Sequence, residues 1–129
     1  MTGNTYTRKK ILLVDDDEMH LTTAELFLKG EYDIFKAKSG NEALECLCKN
    51  QFSPDLILLD IIMPEMDGWE VFNRIKAIAL LKDVPIAFLT SVVEKNEKEK
   101  AYKLGAVEYI TKPYNMTLLK STIKDILKI

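Results

Sequence analysis

Four short apolar runs in this chain each stop at a side chain able to take part in phosphoryl chemistry. Ile11-Leu12-Leu13-Val14 stops at Asp15-Asp16, Leu56-Ile57-Leu58-Leu59 at Asp60, Ile86-Ala87-Phe88-Leu89 at Thr90, and Val107-Glu108-Tyr109-Ile110-Thr111 at Lys112. A wholly apolar run such as Leu56 to Leu59 is what a strand covered on both faces requires, as in a parallel sheet. The carboxyl ends of the strands in such an open sheet border the ligand crevice, so residues at those ends converge however far apart they stand in the chain. Three carboxylates, a hydroxyl and an ammonium are therefore expected along one edge, a set suited to a divalent cation and a phosphoryl group.

Between the runs lie segments with helical periodicity, and alternating β and α segments call for helices on both faces of a parallel sheet. The 129 residues hold five such pairs and leave no room for a second domain. The first helix is predicted from Glu18 to Lys29, with Asp17 as N-cap and Gly30 as terminator, burying Leu21, Ala24, Phe27 and Leu28. A second strand, Tyr32 to Ala37, carries no reactive end residue; its helix, after Ser39-Gly40, turns Ala43, Leu44 and Leu47 inward and has Asn50 near its end. The third helix is predicted from Trp69 to Leu81 on the spacing of Val71, Phe72, Ile75, Ile78 and Ala79, with Trp69 assigned to packing beside the acidic loop. In the fourth, Glu94 to Leu104, seven charged residues leave Ala101, Tyr102 and Leu104 to hold it down, so it should be the least anchored. The fifth, from Asn115 to the end, should bury Leu118, Leu119, Ile123, Ile126 and Leu127.

Charge and cysteine content exclude several functions. Eighteen Lys and Arg against twenty Asp and Glu give a formal charge of -2, so no broad basic field offers itself to nucleic acid or to an anionic membrane. Cys46 and Cys48 stand two apart within a helical pattern, on different faces, which suits neither a disulfide nor a zinc site. Residues 1–8 read as a flexible polar leader and 9–129 as the domain. No signal peptide or membrane-length apolar run occurs, and a cytoplasmic location is expected.

Asp15, Asp16 and Asp60 would repel one another at a shared edge unless a cation lay among them. Magnesium prefers carboxylates, waters and phosphate oxygens. An ionised carboxylate can also accept a phosphoryl group as an acyl phosphate, with a cation neutralising the transferring oxygens. Lys112 supplies an ammonium and Thr90 a hydroxyl for that purpose. Each of these residues has an ordinary structural alternative: a helix cap for the acidic loop, β-branching for Thr90, a surface position for Lys112. His20, near the start of the first helix, reads as an exposed helix residue rather than a participant in proton transfer.

Taken together and in order, these residues resemble the response-regulator receiver domains of two-component signalling, over about Lys9 to Ile129. The resemblance rests on Leu13-Val14-Asp15-Asp16, on Asp55 through Pro64 with Asp67-Gly68, on Leu89-Thr90-Ser91, and on Gly105-Ala106 followed by Tyr109-Ile110-Thr111-Lys112-Pro113. It implies a single-domain, doubly wound (βα)5 flavodoxin-like α/β sandwich with a five-stranded parallel sheet in the order 2-1-3-4-5. It further implies that Asp60 accepts a phosphoryl group from a sensor histidine kinase or phosphotransfer protein. Asp16, Asp60 and the backbone carbonyl of Ile62 would bind Mg²⁺, for which Mn²⁺ can substitute, with Asp15 helping through water. Thr90 and Lys112 would hold the phosphoryl oxygens. Thr90 and Tyr109 would act as the switch, repacking the surface of the fourth helix, fifth strand and fifth helix where a downstream protein binds. A cis Lys112–Pro113 bond would aim the lysine into the site. Such a domain is a signalling phosphoacceptor rather than an enzyme, makes no nucleic-acid or membrane contact of its own, and admits a homodimer formed on phosphorylation.

Ser91 departs from the commonest pattern of that family, replacing its usual alanine, a small change. Ile62 and Val92, each two residues beyond a site residue, are apolar and placed to obstruct water, which predicts slow loss of the phosphoryl group. A magnesium-dependent phosphohydrolase of the haloacid dehalogenase type is the enzyme alternative. It would need a second Asp where Ile62 stands and a cap for which this chain has no room. A receiver that binds partners without phosphorylation is the third reading, which the complete set of reactive residues disfavours.

Overall fold

The structure, a computed structural model, describes residues 8–49 and 53–128. The leader assigned to the N-terminus falls, apart from Arg8, outside the described residues, as does Asn50. Strands β1 (Lys10–Val14), β2 (Asp33–Ala37), β3 (Leu56–Leu59), β4 (Ile86–Thr90) and β5 (Glu108–Thr111) alternate with helices α1 (Glu18–Leu28), α2 (Gly40–Lys49), α3 (Gly68–Lys76), α4 (Lys95–Leu104) and α5 (Met116–Leu127). All neighbouring strands are parallel, in the order β2-β1-β3-β4-β5.

Alternation along the strands builds two cores. Leu12, Val14, Ile57, Leu59, Ile86, Phe88 and Tyr109 face α2, α3 and α4, against Ala43, Leu47, Val71, Phe72, Ile75 and Ala101. The intervening Ile11, Leu13, Leu56, Leu58, Ala87 and Leu89 face α1 and α5, against Leu21, Ala24, Leu28, Leu119 and Ile123. A strand apolar at every position thus serves both faces, which is why β1, β3 and β4 read as unbroken hydrophobic runs.

Several sequence expectations are corrected. Phe27 and Leu118, predicted to be buried, are 47% and 62% exposed. At about 100° per residue, Phe27 lies about 90° from the centre of the stripe formed by Leu21, Ala24 and Leu28, and Leu118 lies farther still from the stripe centred on Leu119 and Ile123. Helix α3 ends at Lys76 rather than Leu81. Beyond it Ile78, Leu81 and Val84 donate to Ile75, Ile78 and Leu81, tight turns that bury Leu81 and leave Ala79 exposed. Helix α1 closes on Lys29 at φ -64°, a right-handed cap, rather than through a left-handed glycine at Gly30. Of the three anchors predicted for α4, only Ala101 is buried; Tyr102 and Leu104 are each 42% exposed.

The chain steps from β1 outward to β2 and then crosses back to β3 on the other side of β1. The helices after β1 and β3 consequently leave on opposite faces, and a crevice opens between the carboxyl ends of these two strands. Asp15-Asp16 and Asp60 follow those two ends. No helix among the described residues is long and apolar enough to cross a membrane.

Candidate functional site

Strand register brings the reactive residues together. Val14 pairs with Leu59, and the Asp60 N–H donates to the Val14 carbonyl at 3.0 Å, so Asp15 and Asp60 emerge side by side. On the other flank Thr90 pairs with Thr111, and the Lys112 N–H donates to the Thr90 carbonyl at 2.8 Å. One carboxylate oxygen each from Asp15, Asp16 and Asp60 lies within 4.8 Å of the others. Asp15 and Asp60 are buried and Asp16 is exposed, so the cluster opens to solvent on one side.

Local hydrogen bonds hold Asp15 and Asp60 in place. Asp15 Oδ1 accepts from the Asp17 N–H at 2.9 Å, folding the loop back on itself, while Asp17 caps α1 by accepting from Met19 and His20. Asp60 Oδ1 accepts from the Ile61 N–H at 2.7 Å. The loop after β3 is drawn in by Gly68, whose N–H donates to the Ile61 carbonyl at 2.7 Å. A Cβ on Gly68 would lie 2.2 Å from the Asp60 carbonyl oxygen and 2.7 Å from Ile61 Cα, so only glycine lets α3 start this close to the strand end. Asp67 caps that helix by accepting from the Glu70 N–H.

Lys112 closes the site. Its Nζ lies 2.6 Å from Asp15 Oδ2, 3.0 Å from His20 Nδ1 and 3.3 Å from Asp60 Oδ2. The peptide bond between Lys112 and Pro113 is cis. Burial works to lower the lysine's pKa, but its hydrogen bond to Asp15 and the charges of Asp60 and Asp15 outweigh it and raise the pKa above the ordinary value, so the ammonium stays charged. Burial also pushes the Asp60 carboxyl above the usual carboxylate range; Lys112 opposes this, Asp15 reinforces it, and hydrogen bonds from Thr90 and Lys112 oppose it again. A cation among these acids would favour ionised Asp60, and the all-oxygen donor set fits a hard divalent ion.

Thr90 is fully buried, and its Oγ1 accepts from the Val92 N–H at 3.3 Å. Tyr109 is 4% exposed, on the α2–α3–α4 side of the sheet, and its hydroxyl donates to the Val92 carbonyl at 2.7 Å. The Val92 backbone therefore links the Thr90 hydroxyl to the Tyr109 hydroxyl. Phe88 stands between Trp69 and Tyr109, at ring separations of 4.9 and 6.1 Å, and Lys100 of α4 sits 4.2 Å above the Trp69 ring. Trp69 thus packs on Phe88 of the sheet and touches α4 through Lys100.

A cavity of about 700 Å³ opens over the acids, lined among others by Asp15, His20, Asp60, Ile62, Lys112 and Tyr114. Ile62, 61% exposed, stands at its rim. The sequence reads His20 as an exposed helix residue rather than a participant in proton transfer. It is half exposed, but its ring reaches Lys112, 92 positions away. The available signal was its place in the first turn of a helix whose N-cap, Asp17, belongs to the acidic loop: a side chain there leans back over that loop.

Comparison with known proteins agrees with this architecture. The family model described as "Response regulator receiver domain" matches residues 11–124. The chain is 36% identical over 120 residues to the chemotaxis protein CheY of Halobacterium salinarum, covering 92% of this chain and 97% of that one. It is 42% identical over 113 residues to a Vibrio cholerae protein named "Probable cyclic di-GMP phosphodiesterase", covering 88% of this chain and 25% of that one. Of the curated relatives it matches, it spans about half the length of two and a quarter or less of two more, so it corresponds to a segment of those longer proteins. The crystal structure of a CheY-like response regulator receiver domain protein from Methanospirillum hungatei superposes with a TM-score of 0.85 at 30% identity, over 95% of each chain.

Proposed function

The chain belongs to the response regulator receiver domain family, and from that premise we propose that it is the phosphoacceptor of a two-component relay, with Asp60 as the acceptor. The observation that carries the reading is that Asp15 Oδ2 and Asp60 Oδ2 both lie within 3.3 Å of the Lys112 ammonium, in the lining of a cavity of about 700 Å³.

In this reading an Asp60 carboxylate oxygen attacks the phosphorus of a phosphohistidine on a sensor kinase or phosphotransfer protein. The P–N bond breaks as the Asp60 O–P bond forms, and the departing imidazole nitrogen takes up a proton. Lys112 transfers a hydrogen bond from the Asp60 carboxylate to a phosphoryl oxygen, neutralising charge where it gathers. Asp15, Asp16 and Asp60, with the Ile62 backbone carbonyl, would hold Mg²⁺, which supplies charge neutralisation between the carboxylates and the phosphoryl oxygens.

The Thr90 hydroxyl is the second donor to the phosphoryl oxygens. Drawing it inward shifts its bond to the Val92 N–H, and Val92 in turn accepts from Tyr109. Phosphorylation is thereby coupled to the α4–β5–α5 surface, where exposed Tyr102, Leu104, Val107 and Leu118 offer apolar contact to a downstream protein. Helix α4 suits such a switch because Ala101 is its one buried residue and its N-cap, Glu94, makes no side-chain capping bond.

The test is intact mass after incubation with acetyl phosphate, with and without Mg²⁺, beside Asp60→Asn. One added phosphoryl group that requires Mg²⁺ and is absent from the variant is the expected result. Turnover of the donor without an adduct would favour a phosphohydrolase, and neither adduct nor turnover would favour a phosphorylation-independent binding module.

A further inference from the structure

We propose that His20 is a positioning residue for the phosphoryl transfer: its Nδ1 accepts one hydrogen bond from the Lys112 ammonium and so aims another of that group's N–H bonds at Asp60. The proposal rests on the phosphoacceptor reading for its consequence, but the contact itself can be tested without any phosphorylation.

An ammonium has three N–H donors and no acceptor. Around Lys112 Nζ stand three acceptors, Asp15 Oδ2 at 2.6 Å, His20 Nδ1 at 3.0 Å and Asp60 Oδ2 at 3.3 Å. Two of them are short bonds to residues on the β1–α1 side of the cavity, and the longest is to the acceptor of the phosphoryl group. With Asp15 and His20 each holding one N–H, the rotation of the ammonium is set and the third points at Asp60. Without His20, the freed N–H is left to water, and the group can turn about the bond to Asp15.

The geometry determines the tautomer. Nδ1 faces a donor, so it must present its lone pair, and the ring proton belongs on Nε2. A proton on Nδ1 would set donor against donor at 3.0 Å; its alternative acceptors, Asp15 Oδ2 at 3.4 Å and Asp17 Oδ2 at 3.6 Å, are both more distant than the lysine. The backbone that carries the ring is also held in place. The His20 N–H donates to Asp17 Oδ1 at 3.4 Å, and the Asp17 N–H donates to Asp15 Oδ1 at 2.9 Å, so the imidazole and the acid that shares its lysine are parts of one hydrogen-bonded turn.

The substitutions separate an acceptor from bulk. Asparagine places its carbonyl oxygen near the position of Nδ1, glutamine places it near that of Nε2, and leucine fills the space without an acceptor. With acetyl phosphate and Mg²⁺ as the probe, His20→Leu and His20→Gln should slow Asp60 phosphorylation about tenfold, the size of one hydrogen bond to a charged group, while His20→Asn should stay within about twofold of the parent. Equal rates in all four proteins, or equal slowing in Leu, Gln and Asn, would overturn the proposal.

His20 is the chain's one histidine, so the imidazole ¹⁵N spectrum of the unphosphorylated protein contains a single ring and needs no assignment. The expected spectrum has the proton on Nε2, with an Nδ1 shift that moves when Lys112 is replaced by Met. A proton on Nδ1, or an Nδ1 signal indifferent to Lys112→Met, would overturn the contact. Should the parent protein take up no phosphoryl group at all, the phosphoacceptor reading fails while the spectrum still decides the His20–Lys112 pair.

Discussion

In the proposed function, Ile62 at the rim is the side chain placed to affect the lifetime of an acyl phosphate on Asp60. It is 61% exposed at the rim of the cavity over Asp60, through which a water can approach an acyl phosphate there. Its apolar side chain offers that water no hydrogen bond and occupies part of its approach. Replacing it by asparagine keeps a similar reach and adds both a donor and an acceptor. Ile62→Asn should shorten the lifetime of the phosphorylated protein severalfold, by about the factor that one neutral hydrogen bond supplies. Loss of the phosphoryl group, followed by intact mass over time in the two proteins, measures this; unchanged lifetimes would mean that water reaches Asp60 by another side.

Tyr109 ties β5 to β4 and to the loop that leads into α4. Its hydroxyl donates to the Val92 carbonyl and its ring packs near Phe88. Burial raises its pKa above that of free tyrosine, and the nearby charges of Glu97, Glu94 and Asp60 add to the effect. A phenol raised in the folded state favours folding fully below its unfolded pKa, about 10, and that contribution is lost as pH rises through the higher folded value. Tyr109→Phe should therefore cost about 1 kcal/mol at neutral pH, because the Val92 carbonyl loses its donor. Above pH 10 or so its stability should also fall less steeply than that of the parent. Denaturant midpoints at neutral and alkaline pH check both signs. Helix α4 adds the Lys100–Trp69 contact, the Tyr102–Glu108 hydrogen bond and a left-handed C-cap at Gly105, φ 109°. It is held at its C-terminal end and by surface contacts rather than by a buried stripe, the arrangement expected of an element that shifts.

Across the whole molecule, the sheet order concentrates negative charge at one edge while the net charge stays near neutral. Asp15, Asp16 and Asp60 converge there, and Lys112 bonds directly to Asp15 and Asp60. A divalent cation that binds this cluster only in the folded protein stabilises the fold by mass action. Mg²⁺ at about a hundred times its dissociation constant should add about 2.7 kcal/mol, visible as a rising thermal midpoint in a magnesium titration. Asp16→Asn should abolish most of that rise. A midpoint indifferent to magnesium in the parent would remove the metal from the proposed function.

The strand ends, the helix cap at Asp17 and the covering of β3 on both faces were legible in the residues, because hydrophobic patterning and capping are local rules that act within a few positions. The sheet order came with the resemblance and was then seen in the pairing. Local rules misjudged Phe27 and Leu118, which lie just off their stripes, and the end of α3, where apolar residues continue into tight turns. They were silent about the contact between His20 and Lys112. Sequence by itself determined which residues stand at the ends of strands, since hydrophobic patterning selects the face and length of each element. Only the tertiary structure decided that an imidazole and an ammonium 92 positions apart lie 3.0 Å from each other. That distance depends on how α1 and the β5–α5 loop are packed over the sheet, and periodicity within either segment carries no information about it.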